Sequence, residues 1–288
     1  MVTYQPDIIF NPKAQLGEGA IWHHRHHMLY WVDILGKKFW QFNPTTGQHD
    51  DFETGQLTGT IVPRRHGGVM LALHHGFAVY YPAALKLTMI CDPENNQPEL
   101  RFNDGKCDPA GRFWAGTMPI ASRDPIGSLY CLYPDLHVER KVTEVSCSNG
   151  IAWSLDHKTM YYIDTPLCRV DAFDFDVATG HIENRRVAFE IPQAMGHPDG
   201  STLDADGMLW IAHWGGSCVA RWNPQTGEHL ATVELPTPQI TSCAFGGPRL
   251  DQLYITSARV GRDSDPYAGG LFCVDVGVKG IPACEFAS

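Results

Sequence analysis

A short aromatic strand signal that returns about every 45 residues limits the architecture of this chain more than any other feature. The segments LYWVDI (29–34), RFWAGT (112–117), MYYIDT (160–165), MLWIAH (208–213) and QLYITS (252–257) mix aromatic and β-branched residues, as strands do, and no helix-period stretch competes with them. Superposed, they place Trp31, Trp114, Tyr162, Trp210 and Tyr254 at one position. VMLALHHG (69–76) supplies Leu71 in the widest gap, and the successive intervals become 40, 43, 48, 48 and 44 residues. A second element repeats in phase. FWQFNPTTGQ (39–48), VDAFDFDVATGHI (170–182) and VARWNPQTGEH (219–229) each run from a strand into a turn ending in Thr-Gly, where Gly47, Gly180 and Gly227 supply positive φ. This is the period of a four-stranded propeller blade.

Six such copies use nearly all of the 288 residues, so the chain reads as one all-β, six-bladed β-propeller domain over 1–288, closed by its short ends, and not as two domains. A hydrophobic content of 43% is enough for a large core, and 19% charged residues is too few for disorder. The anchors read first as packing between blades. The formal charge of −10, with no extended basic cluster, excludes nucleic acid and anionic membrane as partners and leaves a small molecule. There is no basic leader with an apolar stretch behind it and no apolar run of membrane-spanning length. Nine scattered cysteines without a CxxC pair read as reduced thiols, which points to the cytoplasm.

The innermost strand of each blade should lie 11 to 13 residues before its anchor, and there the sequence turns polar: Glu18, Asn103, Asn149 and Asp199, with Thr241-Ser242 in the last copy and Thr58-Gly59-Thr60 in the second. Residues at one phase of different blades converge on the axis, so these four should meet at one channel mouth. Two carboxylates and two amides offer oxygen to a hard divalent cation. The bland alternative is that they cap strand ends or bind channel water. Each stands within two residues of a glycine, in LGEGA (16–20), RFNDG (101–105), CSNG (147–150) and HPDG (197–200), which lets the backbone turn tightly enough to present the side chain inward.

Together these motifs, with YWVDI, GKCDPAGRFWAGTM, AWSLDHKTMYYIDT, DADGMLWIA, CAFGG and AGGLF, resemble the SMP-30/gluconolactonase/regucalcin-like family from residue 14 to the C-terminus. The resemblance implies one catalytic divalent cation (Ca²⁺, Zn²⁺, Mg²⁺, Mn²⁺ or Fe²⁺), with hydrolysis of sugar lactones such as gluconolactone or a pentonolactone to aldonic acids. It implies Glu18, Asn149 and Asp199 as metal ligands, Asp199 also as general base, and Arg101 and Asn103 as substrate-binding residues. The alternatives are a calcium-binding regulatory protein without turnover and a phosphotriester or aryl-ester hydrolase of a related propeller type. No GxSxG motif is present. One departure concerns specificity: GTM is followed by Pro119-Ile120-Ala121-Ser122, apolar where some relatives carry an acid. The run His23-His24-Arg25-His26-His27 reads as a solvated hairpin turn, Asp204 and Asp206 as turn residues, Cys147 as a buried filler, and His197 as channel-facing.

Overall fold

Each of the six strand signals becomes the second strand of an antiparallel sheet in the computed structural model, which describes residues 2–288. Blade one runs outward from Gly17–His23 through Met28–Asp33 and Lys38–Phe42 to His49–Glu53. The other inner strands are Thr58–Pro63, Leu100–Cys107, Ser148–Trp153, His197–Leu203 and Ile240–Gly246. Each packs against the inner strand of the next blade, and the last meets the first, so the six blades close a propeller ring. Among the described residues the only helical elements are short 3-10 turns such as Thr165–Leu167, and no helix is long and apolar enough to cross a membrane.

The ring closes with a strand from each end of the chain. Asp7–Phe10 forms the outer strand of blade six, antiparallel to Leu271–Val274, with Ile8 opposite Phe272. Val2–Tyr4 continues outward and adds a parallel strand to blade five beside His229–Glu234. At the other end of the chain, residues 279–287 cross the far side of the ring: the Lys279 carbonyl accepts from the Ala205 amide, Gly280 donates to Leu250, Phe286 pairs with Pro63 and Arg65, and Ala287 donates to Gly111. Blades five and six are thereby strapped to blades two and three.

The repeat anchors are buried between blades. Trp31, Leu71, Trp114, Tyr162, Trp210 and Tyr254 are all at most 3% exposed. Burying a side chain of this size contributes roughly 2–3 kcal/mol. Tyr254 stacks on Trp22 of blade one at 5.9 Å, Trp114 meets Trp153 of blade four at 6.1 Å, and Trp210 meets Phe245 of blade six at 6.0 Å. The Thr-Gly turns join third to fourth strands. In two of them the Asn43 and Asn223 side chains cap the amides two residues on, and Gly47 and Gly227 take φ of 73° and 71°.

Asp204 does more than close its turn. It is fully buried, and besides the Asp206 and Met208 amides it accepts from Trp210 Nε1 at 2.9 Å and Arg221 Nε at 2.8 Å. Asp108 does the same for Trp114 and Arg112 in blade three. The carboxylate thus fixes the anchor indole to its own hairpin. In the histidine run only residues 24–27 form the turn; His23 is a buried strand end stacked on His26 at 3.9 Å.

Asp204→Ala leaves the buried Trp210 indole N–H unpaired and takes one of two carboxylate partners from Arg221, and should cost about 3 kcal/mol in urea unfolding, whereas Asp206→Ala should cost under about 1 kcal/mol. His213 is fully buried, and desolvation, followed by neighbouring His229, lowers its pKa to about 4. The unfolded chain then binds more protons than the fold between an ordinary histidine pKa and about 4, so stability falls as pH drops through that window. Denaturation midpoints measured from pH 7 to pH 4 should fall less steeply in His213→Leu.

A polar cavity at the channel mouth

The six inner strands share a defect, and it falls at the polar positions. Every inner strand slips register against its second strand by one extra residue: between Glu18 and Ile21, Thr58 and Thr60, Phe102 and Gly105, Asn149 and Ile151, Pro198 and Ser201, and Ile240 and Ser242. A β-bulge re-aims side chains that a regular pleat would alternate to the two faces. The adjacent glycines serve this packing in two ways. Gly19 has a φ of +61°, the expected tight turn. Gly150 does not, but a Cβ there would lie 2.7 Å from Ser201 Oγ and 2.8 Å from the Asp199 carbonyl, so its role is close approach of blades four and five.

The structure brings Glu18, Arg101, Asn103, Asn149 and Asp199 together on the wall of one cavity of about 420 Å³. All five are buried. Arg101 Nη1 donates to Asn103 Oδ1 at 2.7 Å and to the Phe102 carbonyl at 2.9 Å, leaving Nε and Nη2 without a protein partner. Asn103 Nδ2 donates to the Ser148 carbonyl and to Asn149 Oδ1 at 3.1 Å. Asn149 Nδ2 is committed to Thr165 Oγ1 at 2.7 Å, and Thr165 in turn donates to the Pro198 carbonyl. This chain fixes both amide orientations and links the strands that carry Asn103, Asn149 and Asp199.

Strand-two carboxylates hold the approach to these residues. Asp33 accepts from the Gln15 and Leu16 amides at 2.9 and 3.0 Å, and Asp164 from the Ser146 and Cys147 amides at 3.1 and 2.8 Å. Each clamp pins the chain two residues ahead of Glu18 or Asn149.

The charges do not balance. Burial raises the pKa of Asp199 well above the ordinary carboxylate range, and the neighbouring Glu18 and Asp104 charges raise it further. Glu18 is raised for the same reasons: burial first, then Asp104, with Arg101 and the Gly19 amide offsetting only part. Asp199 Oδ1 is buried without a hydrogen-bond partner. An orphaned carboxylate oxygen beside a second buried carboxylate and a fixed amide oxygen suits a divalent cation with oxygen ligands. The set contains only two acids, and among the described residues no group of three or more His, Cys, Asp or Glu forms a metal cluster.

Other lining residues were not reached by counting back from the anchors. Met118, Thr165 and Trp214 stand at or just beyond the ends of second strands. A second strand runs antiparallel to the inner one, so its far end returns to the same mouth, and this geometry was the available signal. His197 is exposed and lines the cavity. Cys147 lines it too, and burial followed by the Asp199 charge pushes its thiol up to about 12, so it stays protonated and is no nucleophile. Arg123, from the loop read as apolar, also reaches the cavity wall.

Fold and motif agree on kinship: the chain matches the SMP-30/Gluconolactonase/LRE-like region over residues 16–259 and belongs to that family. Regucalcin of Danio rerio is 41% identical over 294 residues, covering 99% of each chain. Among solved structures, a calcium-binding protein, regucalcin, from Agrobacterium tumefaciens superposes with a TM-score of 0.95 at 27% identity, covering all of both chains. A luciferin-regenerating enzyme superposes at 0.91 and 34% identity, covering 98% of this chain and 100% of its own.

Without a cation, raised carboxylates make the fold release fewer protons than the unfolded chain from about pH 4 upward, so stability should fall as pH rises through the raised values. Denaturation of chelator-treated protein should show this loss, and Glu18→Gln should flatten it. Calorimetry should find one divalent cation per chain, with Asp199→Asn weakening it at least about tenfold.

Proposed function

We propose that the protein is a divalent-metal-dependent lactonase that opens sugar lactones to aldonic acids. The observation that carries this reading is the orphaned Asp199 Oδ1, buried with Glu18 in a cavity that Arg101 and Asn103 also line. Membership of the SMP-30/gluconolactonase family supports it. Glu18, Asn149 and Asp199 are the residues that would hold the cation. When bound, the cation supplies Lewis-acid stabilisation of negative charge developing on the substrate carbonyl oxygen.

The chain's own residues do the rest. The free Nε and Nη2 of Arg101 suit the hydroxyls of a sugar, and the hydrogen bond from Arg101 holds the Asn103 amide as a second contact. Arg123, which follows the apolar 119–122 segment, adds a donor and not an acceptor to the cavity wall, so hydroxyls that need an acceptor find none from this loop and electron-rich ring substituents gain a partner. The Asp199 carboxylate takes a proton from the attacking water as the water oxygen adds to the lactone carbonyl carbon. The ring C–O bond then breaks, the proton passes to the departing ring oxygen, and the product is a hydroxy acid. Positive charge at the site favours the ionised Asp199 that this step needs. All nine cysteines are free thiols, in keeping with a reducing cytoplasmic setting.

Acid release from gluconolactone and pentonolactones, followed with a pH indicator, tests the reading. Chelation should abolish the rate, and Asp199→Ala should lower it by a factor on the order of 10²–10⁴. An unchanged rate in either control would sink the mechanism. Stoichiometric cation binding with no hydrolysis across the panel would select instead a calcium-binding role, which the name of the Agrobacterium structure favours.

A further inference from the structure

The inner strands run side by side in one direction, so the ends beyond the polar cavity collect at the opposite mouth of the channel. Trp22, Trp153 and Leu203 each lie four residues past Glu18, Asn149 and Asp199, roughly 13 Å along the axis at ~3.3 Å per residue. There they wall a separate cavity of about 350 Å³, together with Phe245 and the strap residues Ile281 and Ala283. That volume lies at the small end of the ~300–1,000 Å³ range of small-molecule sites.

The wall is apolar with one exception that matters. Lys106, from the inner strand of blade three, is its only lysine, arginine or acid; His157 is an exposed turn residue. The Lys106 ammonium crosses to blade five and donates to the Ser201 carbonyl, its one hydrogen bond, and among the described residues no carboxylate lies within 4.0 Å. An ammonium offers three donors. Two are unused, in surroundings where a lone cation is costly. Burial lowers the Lys106 pKa, and Asp104, two residues away, offsets that only in part. The cysteine thiols nearby do not supply the missing charge, since burial pushes Cys243 up to about 12 and Cys284 to about 11.

We propose that this far cavity is a second ligand site that takes a small apolar monoanion, an alkyl or aryl carboxylate, with the carboxylate on Lys106 and the tail against Trp22, Trp153 and Phe245. Charge complementarity selects the anion, the wall selects the apolar body, and the volume bounds its length. The site is independent of the lactonase reading, because none of its residues lines the polar cavity.

Titration of the whole protein with decanoate, followed by tryptophan fluorescence, should saturate at one per chain, since Trp22 and Trp153 line the site. Decanol and decylamine serve as neutral and cationic probes, and decylamine should not bind. Lys106→Met should weaken decanoate about 10-fold or more while leaving decanol unchanged, the fold-change expected for one charged hydrogen bond. Ala283→Trp, on the strap, should abolish both. Cation binding at the polar cavity, measured by calorimetry, should stay at the wild-type value in both variants and so report an intact fold. Absence of saturable binding, equal decanoate affinity in Lys106→Met, or competition between decanoate and gluconolactone would overturn the proposal.

Discussion

Everything in this molecule hangs on ring closure. Each blade hides its faces only against two neighbours, so an open array would leave an apolar flank at either end. Pairing Asp7–Phe10 with Leu271–Val274 turns that array into a ring without unpaired neighbours. Only then do the inner strands point their equivalent residues at one axis, and only then can Glu18, Asn103, Asn149 and Asp199, far apart in the chain, share a cavity.

The channel that results has two unlike ends built from the same strands. Near their starts, the bulges and glycines bring backbone and polar side chains inward, and unbalanced carboxylate charge accumulates. A few residues on, the strands return to regular pleating and large apolar side chains that serve the blade interfaces also wall the far cavity. Asp104 and Lys106 stand between the two regimes on one strand, with Asp104 raising the carboxylates on one side and drawing the Lys106 charge back on the other.

Much of this could be read from residues alone because a propeller repeats its phase. Trp31, Trp114, Tyr162 and Trp210 share one phase of the repeat, and counting back from them reaches Glu18, Asn103, Asn149 and Asp199. What escaped the count obeys a different geometry. Thr165 and Trp214 come to the mouth because an antiparallel neighbour ends there, which depends on pairing and not on period. Gly150 was read as a turn residue, but its constraint comes from blade five, 51 residues on at Ser201. The strap over residues 279–287 has no repeat partner, and Arg123 sits in a loop whose reach follows from its path in space. Asp204 reads as a turn former because its amide partners are local, while its indole partner, like that of Asp108, is six residues away.

The two-ended makeup of blade six also governs how the chain can acquire its fold. Ile8 waits for Phe272, 264 residues later, so the strand Asp7–Phe10 has no sheet to join until the last strand is available. Such distant pairing slows folding, and during synthesis the flank of blade one stays uncovered while five further blades assemble. A growing chain of this kind passes through an incomplete ring with adhesive ends, in which a second nascent copy competes with the chain's own N-terminus for the open edge.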